Sequence, residues 1–166
     1  MAISFGSGAV KPYVGGKEVQ EAYVGGQLVY RAAPPIYYAF LGTENDYVLA
    51  DWCTLSSVAS AIVKDAGVYR IALSKTTNDN GKIFLGDAKA KFLKFTAKRV
   101  PSNGTISITY TVDGKTSSVG VAGTTTTGYN LVSYELPANA TNVIISVGYP
   151  YTGIVAYFDA IRFETE

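Results

Sequence analysis

Residues 105–114 have the sequence TISITYTVDG, and this stretch decides the class of fold. From Ile106 to Val112 every second residue is apolar and alternates with Ser or Thr, so a strand would place the apolar residues on one face. Asp113-Gly114 then predicts a tight turn into a second strand at 115–121. The stretch therefore predicts an antiparallel hairpin with one buried face and one polar face.

The same period of two recurs through residues 36–166. At 91–100, Leu93, Phe95 and Ala97 share one face, and charged or polar residues share the other. Further strand patterns lie at Ile36–Leu41, Tyr47–Ala50, Val68–Leu73, Lys82–Leu85, Asn142–Val147 and Ile154–Phe163. Short strands at a spacing of about ten residues are typical of sandwiches and jelly rolls. We therefore predict an all-β chain whose main domain is an antiparallel β-sandwich or jelly roll.

Residues 54–65 allow two interpretations. Apolar residues from Leu55 to Ile62 fit a helical stripe, Thr54 fits a helix cap, and Ala66-Gly67 fits a helix end. A further strand is an equally good interpretation of the same stretch.

A repeat of ten residues precedes the main domain. YVGGKEV at 13–19 recurs as YVGGQLV at 23–29. Each Gly-Gly supplies the positive φ angles of a two-residue hairpin turn, which predicts a three-stranded β-meander over 10–31. A meander of this size is too small to be stable alone. Ala and Pro at 32–35 predict a semi-rigid linker, so the expected organisation is a docking segment at 1–31, a linker at 32–35 and a β-sandwich at 36–166.

The composition argues against several classes of function. The chain has no His and one Cys, Cys53, which excludes a Ser-His-Asp triad, a His-ligated zinc and an internal disulfide. A net charge of +1 gives no support for binding to nucleic acid or to an anionic membrane. No apolar run approaches a membrane span, and no signal peptide is evident. We expect Cys53 to be a small buried apolar residue.

The acidic residues give little support for catalysis. Most of the 13 acidic residues lie at turn-like positions or near the ends of the sequence, where solvation explains them. No phosphate loop, dinucleotide motif or nucleophile elbow is present. We expect a protein that is not an enzyme; a jelly-roll hydrolase with two carboxylates is the weakest alternative.

Three aromatic residues are candidates for sugar binding. Tyr149 and Tyr151 share one predicted loop between strands, where two rings could stack on a ligand, and Trp52 is the third candidate. The alternative is that such rings fill a sheet face or a protein interface.

Asp159 is a charged residue within the strand pattern YFDAIRF at 157–163. It is our one candidate metal ligand, for a structural Ca²⁺ held together with backbone carbonyls. Pairing with Arg70 or Arg162, or exposure to water, would explain it equally well. No other cofactor is expected.

The N-terminal repeat resembles the short Tyr-Val-Gly-Gly meander at the start of structural proteins of tailed bacteriophages, including tail, baseplate and head-fibre components. This resemblance implies a virion protein that docks on other virion proteins of the capsid or tail, forms a homo-oligomer and displays its main domain for adhesion to a host-surface glycan. The docking residues would be Tyr13, Val14, Gly15, Gly16, Tyr23, Val24, Gly25, Gly26 and Tyr30.

The main domain resembles jelly rolls of the carbohydrate-binding-module and galactose-binding type. The resemblance is carried by GVYRI at 67–71 and by DAIRF at 159–163. In such modules the late Asp sometimes helps to hold a structural Ca²⁺. The resemblance leaves an alternative function, a soluble carbohydrate-binding module without a virion role.

Overall fold

The structure, a computed structural model, describes residues 34–100, 104–121, 127–148 and 152–166, together with the backbone of four short N-terminal strands. All regular elements in these residues are β-strands. The chain divides into two compact units, Met1–Pro34 and Pro35–Glu166. Among the described residues, no helix is long and apolar enough to cross a membrane.

The first unit contains the strands β1 (Tyr13–Val14), β2 (Lys17–Glu18), β3 (Glu21–Val24) and β4 (Gln27–Arg31). Val14 pairs with Lys17 and Val24 with Gln27, so two glycines connect the strands of each pair. In the described residues these pairs form two two-stranded sheets, β1-β2 and β3-β4. Residues 19–20, between β2 and β3, lie outside the described residues, so the three-stranded meander stays a prediction.

The second unit is built from twelve strands in its described residues. They are β5 (Tyr37–Gly42), β6 (Tyr47–Leu49), β7 (Thr54–Leu55), β8 (Ser60–Asp65), β9 (Val68–Lys75), β10 (Lys82–Gly86), β11 (Phe92–Arg99), β12 (Thr105–Val112), β13 (Lys115–Gly120), β14 (Asn130–Glu135), β15 (Thr141–Gly148) and β16 (Gly153–Glu164).

These strands form two antiparallel sheets. The five-stranded sheet has the order β13-β12-β15-β10-β7. The seven-stranded sheet has the order β14-β11-β16-β5-β6; in addition, β9 pairs with β16, and β8 pairs with β9. Along one side of β16, β9 pairs with Gly153–Phe158, and β5 then pairs with Ile161–Phe163. The predicted all-β, antiparallel β-sandwich or jelly roll is confirmed.

The core lies between the inner faces of the two sheets. Phe95 and Phe158 are fully buried, with ring centroids 5.8 Å apart, and Ile108 and Ile145 are fully buried on the opposing sheet. Burial of each such side chain contributes about 1.5–3 kcal/mol. Cys53 is buried as predicted, with 2% of its surface exposed.

Residues 54–65 form β7 and β8, so the helix alternative is wrong. Ala66 and Gly67 both have positive φ, 50° and 84°, and Asp65 pairs with Val68. The signal that fitted a helix end is therefore a two-residue hairpin turn between β8 and β9. Asp113-Gly114 forms the same kind of turn, as predicted.

Candidate functional site

The outer face of the seven-stranded sheet carries a dense set of charged and aromatic side chains. Cross-strand partners lie on the same face of a sheet, and β11 and β16 pair Thr96 with Asp159, Lys98 with Tyr157, and Lys94 with Arg162. Tyr38 of β5 pairs with Arg162 and joins the same face. We call this surface the charged face; it consists of Tyr38, Asp65, Arg70, Lys94, Thr96, Lys98, Tyr129, Tyr157, Asp159, Arg162 and Glu164.

Asp159 lies at the centre of the charged face. Among the described residues it is the one charged residue that is buried, with 8% of its surface exposed. Its Oδ1 accepts a hydrogen bond of 2.8 Å from the backbone N–H of Gly42, and its Oδ2 forms an ion pair with Arg70. The Thr96 hydroxyl donates to the Asp159 carbonyl at 3.2 Å. The Gly42 N–H and the Arg70 guanidinium are the donors to the carboxylate, which explains how Asp159 tolerates burial.

A second cluster adjoins Arg70. The Lys98 ammonium and the Tyr129 hydroxyl both donate to Oδ2 of Asp65, each at 2.7 Å. These hydrogen bonds, that of Lys98 first, lower the pKa of the Asp65 carboxyl. Burial and the bond to Asp65 raise the pKa of Tyr129. The Arg70 guanidinium lies 4.6 Å from the Tyr129 ring centroid, which connects the two clusters.

The third cluster lies towards the end of β16. The Lys94 ammonium donates to Oε2 of Glu164 at 2.5 Å, and Arg162 pairs with the other carboxylate oxygen. The hydrogen bonds from Lys94 and Arg162 lower the pKa of Glu164. The charged face thus places four cations beside three carboxylates, with Lys94 and Arg162 sharing Glu164, and presents hydrogen-bond donors and acceptors side by side.

The aromatic rings of the charged face differ in what covers them. Lys98 lies 5.2 Å from the Tyr129 centroid and 5.1 Å from that of Tyr157, so a cation already occupies a face of both rings. Tyr38 is 39% exposed and lies next to Arg162. Tyr38 is therefore the aromatic side chain best placed to accept a flat ligand. Tyr38 is not among the three aromatic residues that the sequence predicted to bind sugar.

The candidate sugar-binding residues lie elsewhere or outside the described residues. Trp52 packs its ring 5.9 Å from Phe163, and the Lys89 ammonium lies 4.7 Å from its centroid. Both neighbours reduce the ring surface that a ligand could reach. Tyr149 and Tyr151 lie outside the described residues.

The predicted docking residues are described only in part. The backbone of Tyr13, Val14, Tyr23, Val24 and Tyr30 lies in β1, β3 and β4. Gly15, Gly16, Gly25 and Gly26 lie outside the described residues, and so do the side chains of β1–β4.

The candidate calcium ligand has a cation as its partner. Asp159 faces Arg70, which is one of the partners that the sequence left open. A calcium ion at this carboxylate would have to displace the guanidinium. Within the described parts of the chain, no group of three or more Cys, Asp and Glu residues is arranged to hold a metal ion.

The fold is similar to that of solved carbohydrate-binding modules. A family 29 carbohydrate-binding module matches with a TM-score of 0.56 at 12% sequence identity, over 81% of this chain and 90% of the module. Variants of such a module complexed with cellulohexaose and with mannohexaose match with the same score and identity, over 81% of this chain and 94% of theirs. No family model and no curated protein matches the sequence. At this identity the likeness shows the fold, that of a jelly-roll-like β-sandwich.

Proposed function

We propose that residues 35–166 are a non-catalytic carbohydrate-binding module whose ligand lies along the charged face. The observation that carries the proposal is the position of the exposed Tyr38 beside Arg162, at one side of a fixed array of charge pairs. Aromatic side chains together with polar groups that fix the orientation of the ligand are common in small-molecule sites.

The chemistry of the charged face suits a chain of sugar hydroxyls. A hydroxyl donates and accepts at once, so it can bridge the cation and the carboxylate of one pair, such as Lys94 and Glu164. Because the partners hold each other in place, little side-chain freedom remains to be lost on binding. Since the cations are paired with carboxylates, the surface carries little excess charge and favours a neutral ligand over an anionic one.

The similar modules supply the probes for this proposal. They were solved with cellulohexaose and mannohexaose. Variants in which a lysine, a tyrosine, an arginine or an aspartate is changed to alanine served there to probe ligand recognition. The charged face consists largely of the same residue types.

The directions of the pKa shifts of the carboxylates favour a binding role over hydrolysis. A glycosidase needs one carboxyl group whose pKa is raised, so that it can protonate the leaving oxygen. The pKa values of Asp65 and Glu164 are instead lowered by the cations bound to them, and Asp159 is held by Arg70. We therefore expect no release of sugar from either hexaose.

Calorimetric titration with cellulohexaose and mannohexaose tests the proposal. We expect Tyr38→Ala to weaken binding at least about tenfold, which corresponds to about 1.4 kcal/mol of lost ring contact. Tyr37→Ala is the matched control, because Tyr37 is equally exposed, at 38%, but pairs with Phe163 on the core side. Equal losses in both variants, or no binding by the wild type, would contradict the proposal.

A second candidate function concerns the N-terminal unit. We propose that β1–β4 dock the module on other virion proteins of a tailed phage, through the nine residues identified from the repeat, and that the module then adheres to host-surface glycan. The support is the resemblance of the repeat, together with the two hairpins that its Gly-Gly pairs join. If a chain lacking residues 1–31 still incorporates into particles, the docking role is refuted.

A further inference from the structure

Exposed apolar side chains are concentrated at one edge of the seven-stranded sheet. Of the ten large apolar residues that are exposed in the described part of the chain, six lie between positions 36 and 49. Val48, at the centre of β6, is 58% exposed and is the second most exposed of the ten. We call five of the six the apolar edge: Ile36, Tyr37, Tyr47, Val48 and Leu49.

β6 is an edge strand without the usual protection. In the described residues it pairs with β5 and with no other strand. Edge strands commonly carry Lys, Pro or a bulge that discourages pairing with another chain. Two other edge strands in the described residues follow this pattern, with Lys64 in β8 and Lys115 in β13, whereas β7 and β14 contain neither Lys nor Pro. The sequence of β6 is Tyr-Val-Leu, and its pairing with β5 has no register shift.

The hydrogen bonds at both ends of β6 show which backbone groups face outwards. Thr43 N–H donates to the Asp46 carbonyl at 2.8 Å, and Ala50 N–H donates to the Ala39 carbonyl at 3.0 Å. Backbone groups alternate in direction along an antiparallel strand. Those of Val48 therefore point towards β5, and those of the two residues beside it point to the open edge.

The open edge presents three free backbone groups. Oδ1 of Asp46 accepts the Tyr47 N–H at 2.8 Å, which leaves the Tyr47 carbonyl and both backbone groups of Leu49 without a partner in the described residues. Donors and acceptors at this spacing match the edge of another extended strand. A sugar or a compact side chain would not satisfy them in this register.

We propose that the apolar edge binds a second copy of this chain, with the two β6 strands antiparallel about a two-fold axis at Val48. This register places Tyr47 of each copy opposite Leu49 of the other copy. The outward backbone N–H and C=O groups of the two strands then pair with each other. The carboxylate of Asp46 releases the Tyr47 N–H when the strands join. The two seven-stranded sheets become one continuous sheet.

The surface available is consistent with a reversible dimer. The three side chains of β6 are 37–58% exposed, and a contact centred on two strands of three residues is smaller than the roughly 1,000 Å² expected of a stable specific interface. We therefore expect a dimer that dissociates on dilution.

Light scattering on the full chain over a dilution series tests the proposal. We expect the mass to approach twice 17.6 kDa at high concentration. Val48→Lys places two ammonium groups at the two-fold axis and should halve the mass. Leu49→Pro removes an N–H that faces the open edge, so it leaves the hydrogen bonds between β6 and β5 intact. It should also give a monomer. Val58→Lys, at a residue 49% exposed outside the apolar edge, is the matched control and should remain a dimer.

Thermal unfolding of each variant shows whether it is folded, so that loss of the dimer is not confused with loss of the domain. A wild-type chain that stays monomeric at every concentration overturns the proposal. A dimer that survives both Val48→Lys and Leu49→Pro overturns it too, because the contact then lies elsewhere, including the unit Met1–Pro34.

Discussion

Asp159 of β16 and Arg70 of β9 form an ion pair at the point where β16 exchanges one neighbouring strand for another. The same carboxylate accepts the backbone N–H of Gly42 from β5. Asp159 therefore connects three strands at a position where their ladder is interrupted and where Ala160 adopts a positive φ of 48°. We infer that this carboxylate stabilises the seven-stranded sheet as well as lying at the centre of the charged face.

Replacing Asp159 by Asn should destabilise the domain by about 3 kcal/mol, because it leaves the largely buried Arg70 without its counter-charge. The side chains of Arg70 and Asp159 are 14% and 12% exposed, so water can compensate only in part. Urea unfolding measures the change. The double variant Arg70→Met with Asp159→Asn should recover part of the loss. A change below about 1 kcal/mol would show that the pair behaves as a surface ion pair.

Replacing Gly42 by Ala should destabilise the domain by about 3 kcal/mol, near the upper end for overpacking. A Cβ on Gly42 would lie 1.8 Å from the carbonyl oxygen of Tyr69, so β5 would have to move away from β9 and from Asp159. Gly120→Ala is the matched control, since a Cβ there meets no atom within 4 Å. If the two variants unfold at the same urea concentration, the close approach of β5 and β9 is not real.

The stability should fall on acidification. The folded pKa values of Asp65 and Glu164 lie below their ordinary values of 3.8 and 4.5, because Lys98 and Lys94 donate to the carboxylates. Their contribution is fully present above those ordinary values and is lost as the pH falls through the lower, folded values. The urea midpoint should therefore decrease between about pH 5 and about pH 2.

The variant Asp65→Asn provides the control for this pH dependence. It should be less stable than the wild type at neutral pH and should lose less stability on acidification. A wild-type midpoint that stays constant over this pH range would mean that neither ion pair stabilises the fold.

Cys53 should resist alkylation in the folded protein. Burial raises the pKa of its thiol to about 12, so almost no thiolate is present at neutral pH, and the side chain is 2% exposed. We expect iodoacetamide to modify Cys53 much faster in denaturing urea than in buffer, as followed by mass spectrometry. Equal rates would show that the core around Cys53 opens readily.

The sequence predicted those strands whose two faces differ clearly in polarity. In β11 and β12 every fully buried residue is an apolar residue of the alternating pattern, and Tyr110 and Val112 pack half-buried against the same core. The sequence did not predict β14, because its apolar and polar residues do not alternate in the usual sense at the start of the strand. Leu131 is 61% exposed there, and the more polar Asn130 lies on the core side with Val132. Residues 54–65 stayed ambiguous since a Gly after Ala fits a helix end as well as a hairpin turn, and only the pairing of β8 with β9 distinguishes the two.

The candidate site was less accessible to sequence analysis than the fold. Asp159 stood out as a charge within a strand, and Arg70 was among its expected partners. The cluster of Asp65, Lys98 and Tyr129 could not be inferred, because these residues are brought together by the strand order rather than by any local pattern.

The measurement that tests the central claim most directly is a titration of the isotopically labelled full chain with cellulohexaose and mannohexaose, followed by the amide resonances. We predict shifts at Tyr38, Lys94 and Tyr157 on the charged face. No comparable shifts should occur at Phe84 and Thr109, which lie on the outer face of the five-stranded sheet. Shifts confined to that second face, or no shifts with either hexaose, would contradict the assignment of the charged face as a carbohydrate-binding surface.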